Sequence, residues 1–252
     1  LMTPDSRLMT PASWPLTPLY YCQSLGEQGR PPLRTSLRPL GRHSSNNPCV
    51  SAPRNEGLCD IIAGVIRVRL FFSLTIDAKT RKILAALSWR MQQKITARAA
   101  WVKEENLHIT TKFLGEVDST TIDDLSVISR RVTERIAPFI LTIDRIDAFP
   151  SLATPRVIWV GGKGPPQFIE LVDRLERELE RLGFPAEQRR PIPHITMARI
   201  KGRREQDIEE KIRAISLPDA LQVEVSQLTL NKSRLTSKGP IYTPLLELPL
   251  TG

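Results

Sequence analysis

The chain has 252 residues, a net charge of +9 and an isoelectric point near 9.8. That length admits one large domain or two small ones, and the charge favours a polyanion, a phosphorylated ligand or an anionic membrane surface. No run approaches the ~18 apolar residues of a spanning helix, and the start lacks the basic-then-apolar layout of a secretory signal. Three scattered cysteines (Cys22, Cys49, Cys59) give neither a disulfide framework nor zinc spacing. A soluble, cytoplasmic, monomeric protein is expected, with no membrane contact.

Residues 1–65 hold nine of the 21 prolines, interspersed with Ser, Gly and Arg, and show no helical or strand periodicity. Such a segment is expected to be disordered or a non-native extension. Six basic and four acidic residues fall there, so +7 of the net +9 belongs to the remainder. His43 reads as an incidental loop histidine.

The ordered domain is expected over residues 66–252. Residues 67–76, rich in branched and aromatic side chains, predict a buried strand. Asp77 is a candidate N-cap for a helix to about residue 98, with Ile83, Leu84, Leu87 and Met91 at helical spacing. A connection containing Trp101 leads into Asn-Leu-His-Ile-Thr-Thr-Lys-Phe-Leu-Gly-Glu-Val (106–117), a strand that Gly115 is expected to end. Asp118 or Ser119 then caps a second helix, striped by Ile122, Leu125, Ile128 and Val132.

Residues 139–146 and 155–162 predict two further strands, the second closed by Gly161 and Gly162. Pro165 and Pro166 open a third helix, with Phe168, Leu171, Leu175 and Leu179 on one face and Gly183 terminating it. A strand over 192–200 carries Pro-His-Ile-Thr-Met. A charged helix over 204–215 and strands at 222–231 and 241–248 complete the chain. Each half thus places one histidine strand after a long helix. The expected fold class is α+β: two pseudo-symmetric lobes, each a mainly antiparallel sheet backed by helices, with a central cleft.

Two of the three histidines, His108 and His194, open the same His-Ile-Thr tripeptide. In a strand His108 and Thr110 share one face, as do His194 and Thr196, while the isoleucines turn into a core. Facing each other across a groove, such strands bring two imidazoles and two hydroxyls together. That set suits in-line displacement at phosphorus: one imidazole takes a proton from water, the other gives one to the leaving oxygen, and the hydroxyls donate to the non-bridging oxygens. Neither motif is distinguishable as donor or acceptor on this ground. A zinc site would need at least three protein ligands: residues 66–252 hold no further His or Cys, and nothing in the spacing of Glu104, Glu105 or Glu116 suggests that carboxylates supply them; no Gly-x-Ser-x-Gly nucleophile is present. No metal and no cofactor are expected. Lys112 falls on the His108 face by alternation, where it can steer a polyanion or stay solvated. Phe113 is a candidate for stacking on a base or for the core.

The paired motifs, together with Leu-Phe-Phe-Ser-Leu, Pro-Arg-Val-Ile-Trp-Val-Gly and Pro-His-Ile-Thr-Met-Ala-Arg, resemble the LigT-like RNA 2′,3′-cyclic phosphodiesterases of the 2H phosphoesterase superfamily. The resemblance covers about residues 66–250 and no part of 1–65. It implies the two-lobed 2H fold and metal-independent opening of RNA 2′,3′-cyclic phosphate ends to 2′-phosphomonoesters, with 2′-5′ RNA ligation in the reverse sense in some members. His108 is then the proton donor, His194 the proton acceptor, and Thr110 and Thr196 the phosphate-binding residues. It also implies Arg199 as a phosphate ligand, although strict alternation sets Arg199 on the face opposite His194. The alternatives are an RNA-end-binding module without turnover, or a phosphodiesterase for a small cyclic nucleotide or ADP-ribose cyclic phosphate.

Overall fold

The computed structural model describes residues 66–188, 190–202, 205–217, 221–237 and 239–252. The expectation for residues 1–65 lies outside them. The elements run β1 (Arg67–Leu74), α1 (Ala78–Lys94), β2 (Ala99–Trp101), β3 (Ile109–Asp118), α2 (Ile122–Thr133), β4 (Phe139–Ile143), β5 (Arg145–Phe149), β6 (Val157–Gly161), α3 (Pro166–Arg181), β7 (His194–Ile200), α4 (Ile208–Arg213), β8 (Leu221–Val225), β9 (Gln227–Thr236) and β10 (Gly239–Pro249).

The helices begin and end where side-chain chemistry dictates. Asp77 caps α1: its carboxylate accepts the Thr80 backbone N–H at 2.8 Å and the Thr80 hydroxyl at 2.6 Å. These bonds hold its carboxyl below the ordinary range. Asp118 accepts the Thr120 N–H at 2.9 Å and starts a 3-10 turn that feeds α2. Pro166 is the first residue of α3, and Gly183 just beyond its end takes a left-handed φ of +86° that only glycine adopts without strain.

The main sheet has the order β10-β9-β1-β3-β7-β6-β5, with β2 beside β7; β4 and β8 form a separate ribbon. Every pairing is antiparallel. One half of the main sheet (β10, β9, β1, β3) meets the other (β7, β6, β5) through a single residue pair, Ile109 with Ile195. The core lies on the helix-covered face, where Leu70, Phe72, Leu74, Ile109, Ile195 and Met197 pack with Leu84, Leu87, Leu171 and Leu175. Among the described residues, no helix is long and apolar enough to cross a membrane.

Several expected boundaries move. Gly115 does not end its strand: β3 continues to Asp118, and Gly115 (φ +76°) lies at a bulge opposite Leu70 and Phe71. The segment 139–146 is two strands, because the chain changes partner at Asp144, from β8 to β6. The same happens at Ser226, so β8 and β9 replace one strand. Trp101 lies in the short strand β2, and the charged fourth helix is confined to Ile208–Arg213.

Candidate active site

His108 immediately precedes Ile109 and His194 immediately precedes Ile195, the pair at which the two halves of the sheet join. Both isoleucines are buried in the core, so both histidines emerge on the opposite, open face. Carried one residue to each side, the antiparallel register sets His108 across from Thr196 and Thr110 across from His194. The structure therefore brings together the two histidines and two threonines of the two tripeptides.

Each ring is held in the same way. His108 Nδ1 lies 2.7 Å from the Asn106 carbonyl, and His194 Nδ1 lies 2.9 Å from the Ile192 carbonyl. A carbonyl only accepts, so Nδ1 carries the proton and Nε2 is the free edge of each neutral ring. The Thr110 hydroxyl, 3.0 Å from His108 Nε2, donates to it in that state. Among the described residues no hydrogen bond occupies His194 Nε2.

Aromatic rings wall in each imidazole. His108 packs against Phe71 at 5.1 Å and edge-on to Tyr242 at 5.2 Å. His194 packs against Phe149 at 5.1 Å and Trp159 at 5.8 Å. Burial is the largest influence on both rings and pushes their pKa values down, opposed by the carbonyl each Nδ1 touches. The positive charge of Arg199 lowers both, and His194 lowers His108 further. Arg199 thus sits within electrostatic reach of both imidazoles. It also acts on Tyr242, whose hydroxyl burial pushes up.

Arg199 reaches this face because β7 is bulged. Thr196 pairs with Trp159 and Ala198 with Ile158, leaving Met197 as the extra residue. Met197 and Ala198 are both buried, and Arg199, opposite Val157, returns to the side of Thr196. The first motif repeats this. Thr110 pairs with Ser73 and Lys112 with Phe72, leaving Thr111 as the extra residue. Phe113, opposite Phe71, then lies on the histidine face at 50% exposure, 5.9 Å from the Phe71 ring. Lys112 is turned to the helix side and is only 4% exposed. The expectation that Lys112 shares the His108 face is corrected: the bulge reverses the alternation.

Other contributors had no local signal in the sequence. Tyr242 arrives from β10, and Asn106 Nδ2 donates to the Pro240 carbonyl at 3.2 Å, tying that hairpin to the turn that orients His108. Gly161, read only as a strand terminator, pairs with His194; a Cβ there would strike the Pro193 carbonyl and the His194 backbone. Among the described residues no cluster of His, Cys, Asp and Glu could hold a metal ion.

A family model described as LigT-like phosphoesterase matches residues 74–159 and 162–242. An RNA 2′,3′-cyclic phosphodiesterase of Methanothermobacter thermautotrophicus is 31% identical over 181 residues, covering 71% of this chain and 97% of the relative. One of Escherichia coli K12 is 32% identical over 187 residues, covering 73% and 97%. Among solved structures, E. coli LigT complexed with 3′-AMP superposes with a TM-score of 0.60 at 29% identity, covering 74% of this chain and all of that one. A Thermus thermophilus structure superposes with a TM-score of 0.62 at 26% identity, covering 73% and 98%.

Proposed function

The chain belongs to the LigT-like phosphoesterase family and is a cyclic phosphodiesterase, and we propose that it opens RNA 2′,3′-cyclic phosphate ends by two-histidine acid–base catalysis. The observation that carries this is the matched pair of imidazoles on one sheet face, each with Nδ1 spent on a carbonyl, so that Nε2 is the reactive edge: it faces the Thr110 hydroxyl in His108 and has no hydrogen bond among the described residues in His194. A cyclic phosphate between the two Nε2 edges meets a base on one side of phosphorus and an acid on the other.

In the forward reaction His194 Nε2 takes a proton from water as its oxygen bonds to phosphorus. The bond from phosphorus to O3′ breaks, and His108 Nε2 gives its proton to O3′, leaving a 2′-phosphomonoester. The open Nε2 of His194 suits the base. Burial lowers the proton affinity of His108, and the bound phosphate anion offsets this by stabilising the imidazolium. Thr110 and Thr196 donate to the non-bridging oxygens, and Arg199 adds a planar fork of donors matched to phosphate. Phe113, exposed on the same face, offers a stacking surface for the terminal base.

A short RNA ending in a 2′,3′-cyclic phosphate, incubated with the purified chain in EDTA, tests this through the position of the phosphate in the product. A 2′-phosphate is expected, with the rate reduced about 10²- to 10⁴-fold in His108→Ala and His194→Ala. Binding without turnover would leave an RNA-end-binding module. Turnover only with added metal would discard the mechanism.

A further inference from the structure

Lys112 is one residue beyond the Thr111 bulge, inside the helix-covered face. There its Nζ donates to Glu176 Oε2 of α3 at 2.7 Å and to the Pro185 carbonyl at 2.7 Å. The same carboxylate oxygen accepts the Glu187 backbone N–H at 3.2 Å. Pro185 and Glu187 belong to the connection that leads from α3 to His194. One ion pair therefore grips the strand of His108 and Thr110 and also the approach to His194.

This pair is poorly built for stability alone. Among the described residues Glu176 Oε1 is buried and meets no hydrogen-bond donor, and half-satisfied buried charges stabilise less than apolar side chains of the same volume. What the pair supplies is register. A lysine next to a histidine strand has two options: the open face, which strict alternation gives it, or the interior, which requires the bulge and an anion. Glu176 makes the second option possible. Without that anion the ammonium is drawn back to solvent, and the strand can follow by losing its bulge. Losing it would turn Phe113 inward and slip the register of the strand that carries His108 and Thr110.

We propose that Lys112 and Glu176 are positioning residues of the active site: their pair locks the Thr111 bulge, which holds Phe113 on the histidine face and fixes the register of the strand that carries His108 and Thr110. This rests on the two-histidine reading above. It is tested with Glu176→Leu and with the double variant Lys112→Met/Glu176→Leu, whose apolar side chains keep residue 112 inward without a partner charge. Two quantities are read at a temperature where circular dichroism reports a folded chain. One is kcat on the cyclic-phosphate RNA. The other is the NMR titration of His108, which is assignable because the chain has only three histidines.

In Glu176→Leu, kcat is expected to fall about ten- to a hundredfold and the His108 midpoint to move. Both are expected to return in the double variant. A folded Glu176→Leu with wild-type kcat and wild-type His108 titration would overturn the proposal, as would a folded double variant that restores neither. Should Glu176→Leu not fold, Glu176→Gln is read against the same outcomes. The titration needs no substrate, so an inactive wild type would sink the functional reading while leaving this test intact.

Discussion

Each active-site imidazole is fixed by the carbonyl two residues before it, so its tautomer is set by its own strand entry. The same burial that orients the rings makes their protonation costly, and Arg199 adds to that cost. The proposed mechanism needs one ring neutral and one protonated, and burial holds both pKa values below the ordinary imidazole value of about 6.5. The profile of kcat/KM, which reports the free enzyme, is therefore expected to be bell-shaped with its maximum on the acid side of that value. Stability follows the same sign: the depressed values favour the folded chain fully above about pH 6.5, and that contribution is lost as pH falls through the folded values. Assays across about pH 5 to 8 check this, and a monotonic profile or a maximum on the alkaline side would oppose it.

At the scale of elements, the two histidine strands share one device, an extra residue three positions beyond each histidine. Period-two alternation made the histidines and threonines legible in the sequence, and it misplaced everything after the bulges. Neither Thr111 nor Met197 is a glycine or proline, so nothing local marks the irregularity. That is why Lys112 was expected outside and Arg199 on the wrong face. The bulge also puts Arg199 on the side of Thr196. If Arg199 holds phosphate as proposed, replacing it by Ala is expected to remove a charge-assisted contact worth about 1.5–3 kcal/mol, lowering kcat/KM roughly ten- to a hundredfold. It also lifts a positive charge off both imidazoles, so the pH maximum is expected to move toward neutrality. Arg199→Lys keeps the charge but loses the fork, so it should restore the profile more fully than the rate. A pH profile unchanged in Arg199→Ala would remove Arg199 from the site.

For the whole molecule, the helices were legible because their ends carry their own chemistry: Asp77, Pro166 and Gly183 act within a few residues of themselves. The order of the sheet was not, since β1 lies between β3 and β9, a partner more than 150 residues away. That order decides which charges share the histidine face. Arg69 lies on the face of Phe71, Arg145 pairs with Gly161 beside His194, and Arg199 pairs with Val157. Three arginines spread over both halves of the sheet match a chain of phosphates better than the single charge of a cyclic mononucleotide. For single-stranded RNA each neutralised phosphate adds about 0.7 to the slope of log affinity against log salt. Three contacts predict roughly a twentyfold loss between about 50 and 200 mM salt, against about two- to threefold for a nucleoside 2′,3′-cyclic phosphate. Binding to the His194→Ala variant measures both ligands without turnover. A steep slope for RNA beside a shallow one for the mononucleotide is expected; equally shallow slopes would make the small cyclic nucleotide the substrate.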